Sequence, residues 1–319
     1  MSKVFVTRQI PEIGIKLLEE KGHQVEIGPE ESITRQELLE KVKGVEAILS
    51  VLTEKIDGEV MDSAGDQLKV IANYAVGYNN IDVEEAKKRK IIVTNTPGVL
   101  TDTVADHAVA LLLAITRRIV ESDKYTRAGK YKAWGPKLLL GGDIVGKTLG
   151  IIGLGRVGFA VAERLYKGFG MKIIYYDVKK NDQIAKKIDA EYKELDDLLK
   201  EADYISLHTV LTEETKHLIN AQKLALMKPT AYLINTSRGP IIDEAALVEI
   251  LKEKKIAGAA LDVFEKEPEL MPGLIELENI VLTPHIASAT EGTRNKMAEM
   301  AANNVNAVLA GEAPINLVE

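Results

Sequence analysis

Hydrophobic and polar residues alternate along the chain with two different periods. Short β-branched runs such as KVFVT near the N-terminus have the composition of buried strands. Stretches such as EIGIKLLEEKG instead carry apolar residues at helical spacing. Because strand and helix patterns follow one another repeatedly, we predict an α/β protein whose parallel sheets are covered by helices on both faces.

The alternation runs through the chain twice. The first series ends near IIVTNTPG, and the second begins at KTLGIIGLG, after the loop AGKYKAWGPKLLLGGDIVG. A long helical pattern at about 103–124 bridges the two series, and the final segment TRNKMAEMAANNVNAVLAG also has helical spacing. We therefore predict two doubly wound units and a last helix that packs on one of them.

Composition and charge exclude several classes of function. The chain has 319 residues, of which 46% are hydrophobic, enough for one or two domains with substantial cores. Its longest apolar run, 108–115, is far shorter than the ~20 residues that cross a bilayer, and MSKVFVT lacks the apolar segment of a signal peptide. The net charge is −7 without a basic stripe, and cysteine is absent. We expect a cytoplasmic protein that binds neither nucleic acid nor membrane.

The clearest motif is a glycine loop of the form G-x-G-x-x-G. Gly153, Gly155 and Gly158 follow the strand-like TLGII and precede the helical run VGFAVAERLYKGF. In this context the glycines permit a tight turn, close approach of a pyrophosphate and close packing of the helix. Asp177 ends the next strand, where a carboxylate binds the adenosine ribose hydroxyls and repels a 2′-phosphate. We predict an NAD site, with NADP less favoured, and the alternative is a tight βα turn beside a solvated aspartate.

Three charged or titratable residues follow the ends of predicted strands in the second series. Arg238 comes after AYLI, Glu267 after AGAA, and His285 after NIVL. Ligands of open α/β sheets bind at the carboxyl ends of the strands, so these residues predict a site. The alternatives are a structural ion pair between Arg238 and Asp243 and a capping role for His285.

The other histidines indicate no metal site, because none has a second ligand at a suitable spacing. His107 lies in the long helical pattern, and we interpret it as an interdomain or subunit contact rather than a catalyst. His208 ends the strand DYISLH, which places it near a cofactor. We expect Trp134, in the loop before the glycine motif, to cover a pocket or the surface of a partner.

Four ordered segments, GIIGLGRVG with Asp177, INTSRGPIID, AALDVFEKEP and LTPHIASAT, resemble the D-isomer-specific 2-hydroxyacid dehydrogenase family. The resemblance is strongest to its glyoxylate/hydroxypyruvate reductase and glycerate dehydrogenase branch. NYAVGYNNID and NTPGVLTDTVADHAVALLL extend it over nearly the whole chain. It implies a Rossmann NAD-binding domain at 100–289, inserted in a flavodoxin-like substrate-binding domain of 1–99 and 290–319. It also implies a homodimer.

The resemblance further implies a role for individual residues. Arg238 would hold the carboxylate and ketone oxygen of the substrate, His285 would be the acid/base, and Glu267 would hydrogen-bond His285. The backbone amides of Val76 and Gly77 would complete the carboxylate site. The implied cofactor contacts are Gly153, Gly155, Arg156, Val157, Gly158, Asp177, His208, Thr236, Ser237, Asp262 and Ala287.

The expected activity is hydride transfer between NAD(H) and a small 2-oxo or 2-hydroxy acid of D configuration. Reduction of glyoxylate or hydroxypyruvate to glycolate or D-glycerate is the leading expectation. A phosphoglycerate dehydrogenase shares the motifs but often carries an added C-terminal regulatory domain. Formate dehydrogenases carry glutamine where Glu267 stands. The alternative from another class is a non-enzymatic, NAD(H)-sensing corepressor that binds partner peptides.

Overall fold

The structure is a computed structural model that describes residues 1–318. The chain forms two compact units. Unit 1 comprises Met1–Leu100 and Ala289–Glu319, and unit 2 comprises Thr101–Ser288. Each unit contains one wholly parallel sheet, which confirms the predicted fold class of two α/β parallel-sheet domains.

Strands and helices alternate along the chain except at the consecutive helices Thr101–Thr116 and Ile119–Arg127 and the consecutive strands Gly258–Leu261 and Ile280–Leu282. The strands are β1 (Lys3–Val6), β2 (Gln24–Ile27), β3 (Ala47–Ser50), β4 (Val70–Asn73), β5 (Ile92–Thr94), β6 (Thr148–Ile152), β7 (Lys172–Tyr176), β8 (Glu191–Tyr192), β9 (Tyr204–Leu207), β10 (Tyr232–Asn235), β11 (Gly258–Leu261) and β12 (Ile280–Leu282). The helices are α1 (Glu12–Glu20), α2 (Arg35–Lys41), α3 (Gly58–Ala64), α4 (Val83–Lys88), α5 (Thr101–Thr116), α6 (Ile119–Arg127), α7 (Arg156–Phe169), α8 (Asp182–Ala185), α9 (Leu195–Glu201), α10 (Ala221–Leu224), α11 (Glu244–Lys252) and α12 (Glu291–Leu309). Within residues 1–318, none of these helices is long and apolar enough to cross a membrane.

The sheet of unit 1 has the strand order β2-β1-β3-β4-β5, which is the order of flavodoxin-like folds. Alternate residues of β1 serve opposite faces. Val4 and Val6 pack in a core with α1 and α12, whereas Phe5 packs with α2, α3 and α4. Both faces of the sheet are therefore covered by helices. This explains why its strands are continuous apolar runs rather than alternating apolar and polar residues. The C-terminal helix belongs to unit 1.

The sheet of unit 2 has the order β12-β11-β10-β9-β6-β7-β8. The chain moves outward from β6 through β7 to β8 and then returns to the other side of β6 at β9. This reversal is the topological switch point at which Rossmann-type sheets bind nucleotides. The segments that follow β6 and β9 begin with Gly153 and His208, so the glycine loop lies at this point.

The single helix predicted at 103–124 is wrong, because α5 ends at Thr116 and α6 begins at Ile119. Arg118, between them, has a φ of 53°, in the left-handed region. The Thr116 hydroxyl donates to the Leu112 carbonyl at 2.6 Å, and the Thr116 carbonyl accepts from the Gly142 amide at 3.0 Å. A loop that is distant in sequence thus binds the end of α5. The helical spacing of apolar residues nevertheless continues across the break between the two helices.

Candidate active site

The glycine loop after β6 needs glycine for steric reasons at two of its positions. Gly153 has a φ of 94°, and a Cβ built there would lie 2.8 Å from the carbonyl of His208. A Cβ at Gly158 would lie 2.0 Å from the carbonyl oxygen of Gly153. At Gly155 a Cβ would meet nothing within 4 Å, so the loop faces open space there. The loop can therefore admit a group that approaches its backbone closely.

The surroundings of this loop fit a dinucleotide. Helix α7 begins at Arg156, and its N-cap residue makes no side-chain hydrogen bond, so the helix N-terminus can bind an anion. Asp177 accepts hydrogen bonds from the amides of Leu154, at 2.8 Å, and Lys179, at 3.2 Å, which holds its carboxylate beside the loop. The hydroxyl of Thr236, after β10, is buried and has no hydrogen-bond partner within residues 1–318. A helix N-terminus, a carboxylate and an unpaired hydroxyl at one sheet edge are groups that can bind a dinucleotide.

His208 contributes to this edge mainly through its backbone. Its Nε2 lies 2.8 Å from the hydroxyl of Ser206, and its carbonyl packs against Gly153. Desolvation by burial lowers the pKa of His208 to about 3, so its imidazole is neutral at physiological pH. A neutral ring fixed in this way is suited to shaping the pocket wall rather than to exchanging protons.

The turn that follows β10 fixes Arg238. Buried Asn235 donates from Nδ2 to the Arg238 carbonyl at 2.9 Å, and its Oδ1 accepts from the Ser237 amide at 3.0 Å. Arg238 itself donates from Nη1 to the Ser237 carbonyl at 2.7 Å. Burial lowers the pKa of Arg238 while the charge of Glu267 raises it, and a guanidinium stays protonated at neutral pH. Asp243, the alternative partner, accepts from the Ala246 amide as the N-cap of α11.

His285 and Glu267 form a direct pair. Nδ1 of His285 lies 2.8 Å from Oε2 of Glu267, and the other carboxylate oxygen accepts from the Phe264 amide at 2.9 Å. Both side chains are about a quarter exposed, at 25% and 27%. The pair leaves Nε2 as the ring nitrogen of His285 that can face a ligand. An imidazole oriented by a carboxylate is a suitable arrangement for general acid/base chemistry.

The loop that carries His285 is anchored on Asp262, which follows β11 and is fully buried. The Asp262 carboxylate accepts from the amides of Ile286, at 2.9 Å, and Ala287, at 2.8 Å, and its carbonyl accepts from the His285 amide at 2.8 Å. Desolvation opposes ionisation of Asp262, but hydrogen bonds from His107, Thr283 and these two amides lower its pKa overall. Asp262 is therefore a charged anchor for the His285 loop.

Val76 and Gly77 belong to unit 1, in the loop after β4. Asn95 donates to the Val76 carbonyl at 2.7 Å, and Asn73 donates to the Gly77 carbonyl at 2.8 Å. Both carbonyls are thus tied down by asparagine side chains. This restraint orients the peptide groups of the loop, and a carboxylate site formed by their amides stays a prediction.

Two further expectations concern residues outside this group. Nε2 of His107 lies 3.1 Å from Thr283 Oγ1 within unit 2, so this hydrogen bond is not the interdomain or subunit contact expected for His107, which stays a prediction. Trp134 is 80% exposed in this chain. Within residues 1–318, no three histidine, aspartate or glutamate side chains are grouped so that they could hold a metal ion.

The structure contains a buried glutamate that the sequence pattern does not predict. Glu244, the first residue of α11, is 2% exposed, and its carboxylate accepts from the Glu265 amide at 2.8 Å. Desolvation, together with the charges of Glu265 and Glu267, raises the pKa of Glu244 to about 7, although the hydrogen bond from Glu265 opposes the shift. Glu265 in turn pairs with His217 at 3.0 Å. In the sequence, DEAALVEIL looks like an ordinary first helical turn, in which an acid is normally solvated.

We expect Glu244→Gln to change how the stability of the protein depends on pH. The pKa of Glu244 is about 7 in the folded protein against 4.5 for the free group, so between these values only the folded chain keeps the proton. Its contribution to stability is therefore present below pH 4.5 and lost as the pH rises to about 7, by at most about 3 kcal/mol. Calorimetry should show Tm of the variant, relative to wild type, higher at pH 8 than at pH 5.

The control for this experiment is Glu249→Gln, an exposed position on the same helix. It should leave the difference in Tm from wild type equal at both pH values. The same pH dependence for both variants would show that burial of Glu244 does not control its titration.

Comparisons with known proteins identify a family and several relatives of this chain. A family model described as D-isomer specific 2-hydroxyacid dehydrogenase, NAD binding domain, matches residues 109–287. The glyoxylate reductase of Pyrococcus horikoshii is 54% identical, over 99% of this chain and 95% of that protein. A crystal structure of a protein from Thermus thermophilus has a TM-score of 0.94 at 46% identity, covering 99% of this chain and 100% of that one.

A further crystal structure was solved with a cofactor. It is an NADPH-dependent glyoxylate/hydroxypyruvate reductase of Sinorhizobium meliloti in complex with NADP and malonate. Its TM-score is 0.86 at 32% identity, covering 99% of this chain and 96% of that one. These similarities extend over both units.

Proposed function

The chain belongs to the D-isomer-specific 2-hydroxyacid dehydrogenase family, and on that basis we propose that it reduces glyoxylate, and also hydroxypyruvate, with NADH. The observation that carries the proposal is the pair of His285 and Glu267, at 2.8 Å, in the same sheet edge as Arg238 and the glycine loop. The 54% identity to a protein named glyoxylate reductase supports this choice of substrate.

The proposed chemistry assigns one task to each residue. Bound NADH supplies the hydride that adds to the carbonyl carbon of the 2-oxo acid. Negative charge then develops on the carbonyl oxygen, and Arg238 stabilises it because a guanidinium stays charged and can donate two parallel hydrogen bonds. His285 donates a proton from Nε2 to the same oxygen, while Glu267 holds Nδ1 and orients the ring. In oxidation the same groups act in reverse.

We further propose that the amides of Val76 and Gly77, in unit 1, bind the substrate carboxylate. The support is the restraint of both loop carbonyls by Asn95 and Asn73. We also propose that unit 1 binds substrate through this loop, whereas unit 2 binds the cofactor and carries Arg238, Glu267 and His285. For the cofactor, we propose contacts from Gly153, Gly155, Arg156, Val157, Gly158, Asp177, His208, Thr236, Ser237, Asp262 and Ala287.

The test of this function is a substrate panel with NADH. Glyoxylate, hydroxypyruvate, pyruvate and phosphohydroxypyruvate are compared by kcat/KM, from the loss of NADH absorbance. We expect glyoxylate and hydroxypyruvate to give the highest values. A preference for phosphohydroxypyruvate would instead identify a phosphoglycerate dehydrogenase. Tight NADH binding without turnover of any of the four would indicate a sensor rather than an enzyme.

We expect NADH to be preferred over NADPH, and Asp177→Ser to weaken that preference by about tenfold or more, since about 1.4 kcal/mol of repulsion is removed. Asp177 lies beside the glycine loop, where a ribose 2′-phosphate would meet its charge. The measurement is kcat/KM for both cofactors in wild type and variant. Asp182→Ser, at an exposed acid on α8, is the matched control.

Two outcomes would count against this assignment. A wild-type preference for NADPH, as in the Sinorhizobium meliloti reductase, would contradict the repulsion argument. An unchanged cofactor ratio in Asp177→Ser would show that Asp177 does not face the ribose.

We further propose a cytoplasmic homodimer. The support is a group of exposed apolar side chains in one stretch of unit 2, namely Ile119, Tyr131, Trp134, Leu140 and Val145. We propose that a second copy of the chain covers these side chains, since contiguous exposed apolar patches mark association surfaces. Light scattering should give about twice the chain mass of 35.0 kDa, and a monomeric mass would exclude the dimer. The absence of cysteine agrees with a reducing compartment.

A further inference from the structure

Helix α5 reaches the His285 loop through His107. Nε2 of His107 lies 3.1 Å from Thr283 Oγ1 and 3.4 Å from Asp262 Oδ1. Thr283 begins the loop directly after β12, and Asp262 is the buried anchor to which the amides of Ile286 and Ala287 donate. The His107 side chain is thus the outermost member of a hydrogen-bond network. This network reaches loop residues that precede and follow His285.

Counting protons fixes the direction of this contact. The Thr283 hydroxyl donates its single hydrogen to Asp262 Oδ1 at 2.6 Å. It can therefore only accept from His107, so Nε2 of His107 must carry a hydrogen. With the Asp262 side chain at 0% exposure and that of His107 at 20%, this donor serves a carboxylate that water does not reach.

The loop needs such support because its conformation is unfavourable. His285 has a φ of 54°, in the left-handed region that residues with a side chain rarely adopt. Its amide is shared between the carbonyls of Asp262, at 2.8 Å, and Thr283, at 3.0 Å. A conformation of this type persists only where surrounding contacts over-determine it, and the Asp262 network supplies those contacts.

We propose that His107 is a positioning residue for His285: by donating to Thr283 and Asp262, it holds the loop of residues 283–287 in the geometry that proton transfer requires. The proposal rests on the proposed function, since it assigns His107 an effect on a reaction that His285 performs. In this proposal His107 acts only through Thr283 and Asp262, without contact to the substrate or the reacting atoms.

The first experiment needs neither cofactor nor turnover. Amide hydrogen exchange of the segment 283–288 is followed by mass spectrometry in the protein without NADH. We expect His107→Leu, which keeps the bulk but loses the donor, to exchange faster there than wild type. His107→Gln, which restores an N–H donor, should return most of the protection. Asp106→Asn, at the exposed neighbouring position on α5, is the control and should leave the exchange unchanged.

Kinetics form the second arm. We expect His107→Leu to lower kcat for glyoxylate reduction by about tenfold or more, because a misplaced acid/base group is costly, with the Kd of NADH changed by less than about threefold. His107→Gln should recover kcat to within about threefold of wild type. Thr283→Val removes the hydroxyl through which His107 acts. The double variant His107→Leu, Thr283→Val should therefore have a kcat little lower than that of the more impaired single variant.

The outcomes separate cleanly. Unchanged exchange of 283–288 in His107→Leu would overturn the proposal, as would a raised Kd of NADH with unchanged kcat, which would place His107 on the cofactor side. Losses that simply multiply in the double variant would show that His107 does not act through Thr283. If wild type fails to reduce any 2-oxo acid, the proposed function fails, whereas the exchange experiment still decides whether His107 holds the loop.

Discussion

Replacing Arg238 by lysine should lower kcat/KM for reduction of the 2-oxo acid by about a hundredfold or more, while the affinity for NADH stays within about threefold. Lysine keeps the positive charge but loses the planar fork that can bind a carboxylate and a carbonyl oxygen at once. The Asn235 side chain holds this turn through the Arg238 carbonyl and the Ser237 amide. Both hydrogen bonds survive the substitution, although the one from Arg238 Nη1 to the Ser237 carbonyl is lost. The loss should therefore come from transition-state binding rather than from a displaced loop.

This result is measured by steady-state kinetics, with NADH affinity from fluorescence titration. Arg164→Lys is the matched control, because Arg164 pairs with Asp102 and Asp106 on α5 and has no assigned part in the chemistry. Near wild-type turnover in Arg238→Lys would indicate that Arg238 has only a structural role, as one partner of an ion pair with an acid. Loss of NADH affinity alone would place it on the cofactor instead.

Much of the fold could be predicted because its periodicity is local. In β1, Val4 and Val6 pack on one face while Phe5 packs on the other, so a short apolar run is the signature of a strand covered on both sides. The glycine loop is equally local, since the clash of a Cβ at Gly158 with Gly153 arises within one turn. Patterns of this kind need only neighbouring residues.

The positions of Arg238, Glu267 and His285 could be predicted for a different reason. Each follows a strand, and parallel strands place their carboxyl ends at the same edge, so the topology gathers residues far apart in sequence. The topology therefore predicts that these three residues lie near one another, but it does not predict which of them are in contact. The 2.8 Å pairing of His285 with Glu267 depends on the loop geometry after β11 and β12, which no spacing in the sequence encodes.

What could not be predicted depends on contacts between distant segments. Glu244 looks solvated in the sequence, and it is buried only because the segment at Glu265 packs over the start of α11. The break after Thr116 arises because Gly142 donates to its carbonyl from a loop. His107 could be assigned to Thr283 only once α5 was placed beside β12. In each case tertiary packing overrides a local pattern.

His285→Ala should lower kcat/KM for reduction of the 2-oxo acid by about three orders of magnitude at every pH, because the proton donor to the carbonyl oxygen is removed. Glu267→Gln should have a smaller effect. An amide keeps the size of the carboxylate but accepts a weaker hydrogen bond, so the contact that holds Nδ1 of His285 at 2.8 Å is weakened. Because the proton donor is then oriented less firmly, kcat/KM for reduction should fall by about tenfold.

The measurement is kcat/KM for reduction against pH in wild type and both variants, with a solvent isotope effect to show that proton transfer contributes to the rate. Glu269→Gln, at an exposed acid two positions beyond Glu267, is the matched control and should leave kcat/KM unchanged. Unchanged kcat/KM in Glu267→Gln would show that the Glu267 carboxylate does not hold His285 in its reactive orientation. An active His285→Ala would mean that the loop after β12 does not provide the acid. Arg238 could not replace it, because a guanidinium cannot donate a proton at neutral pH.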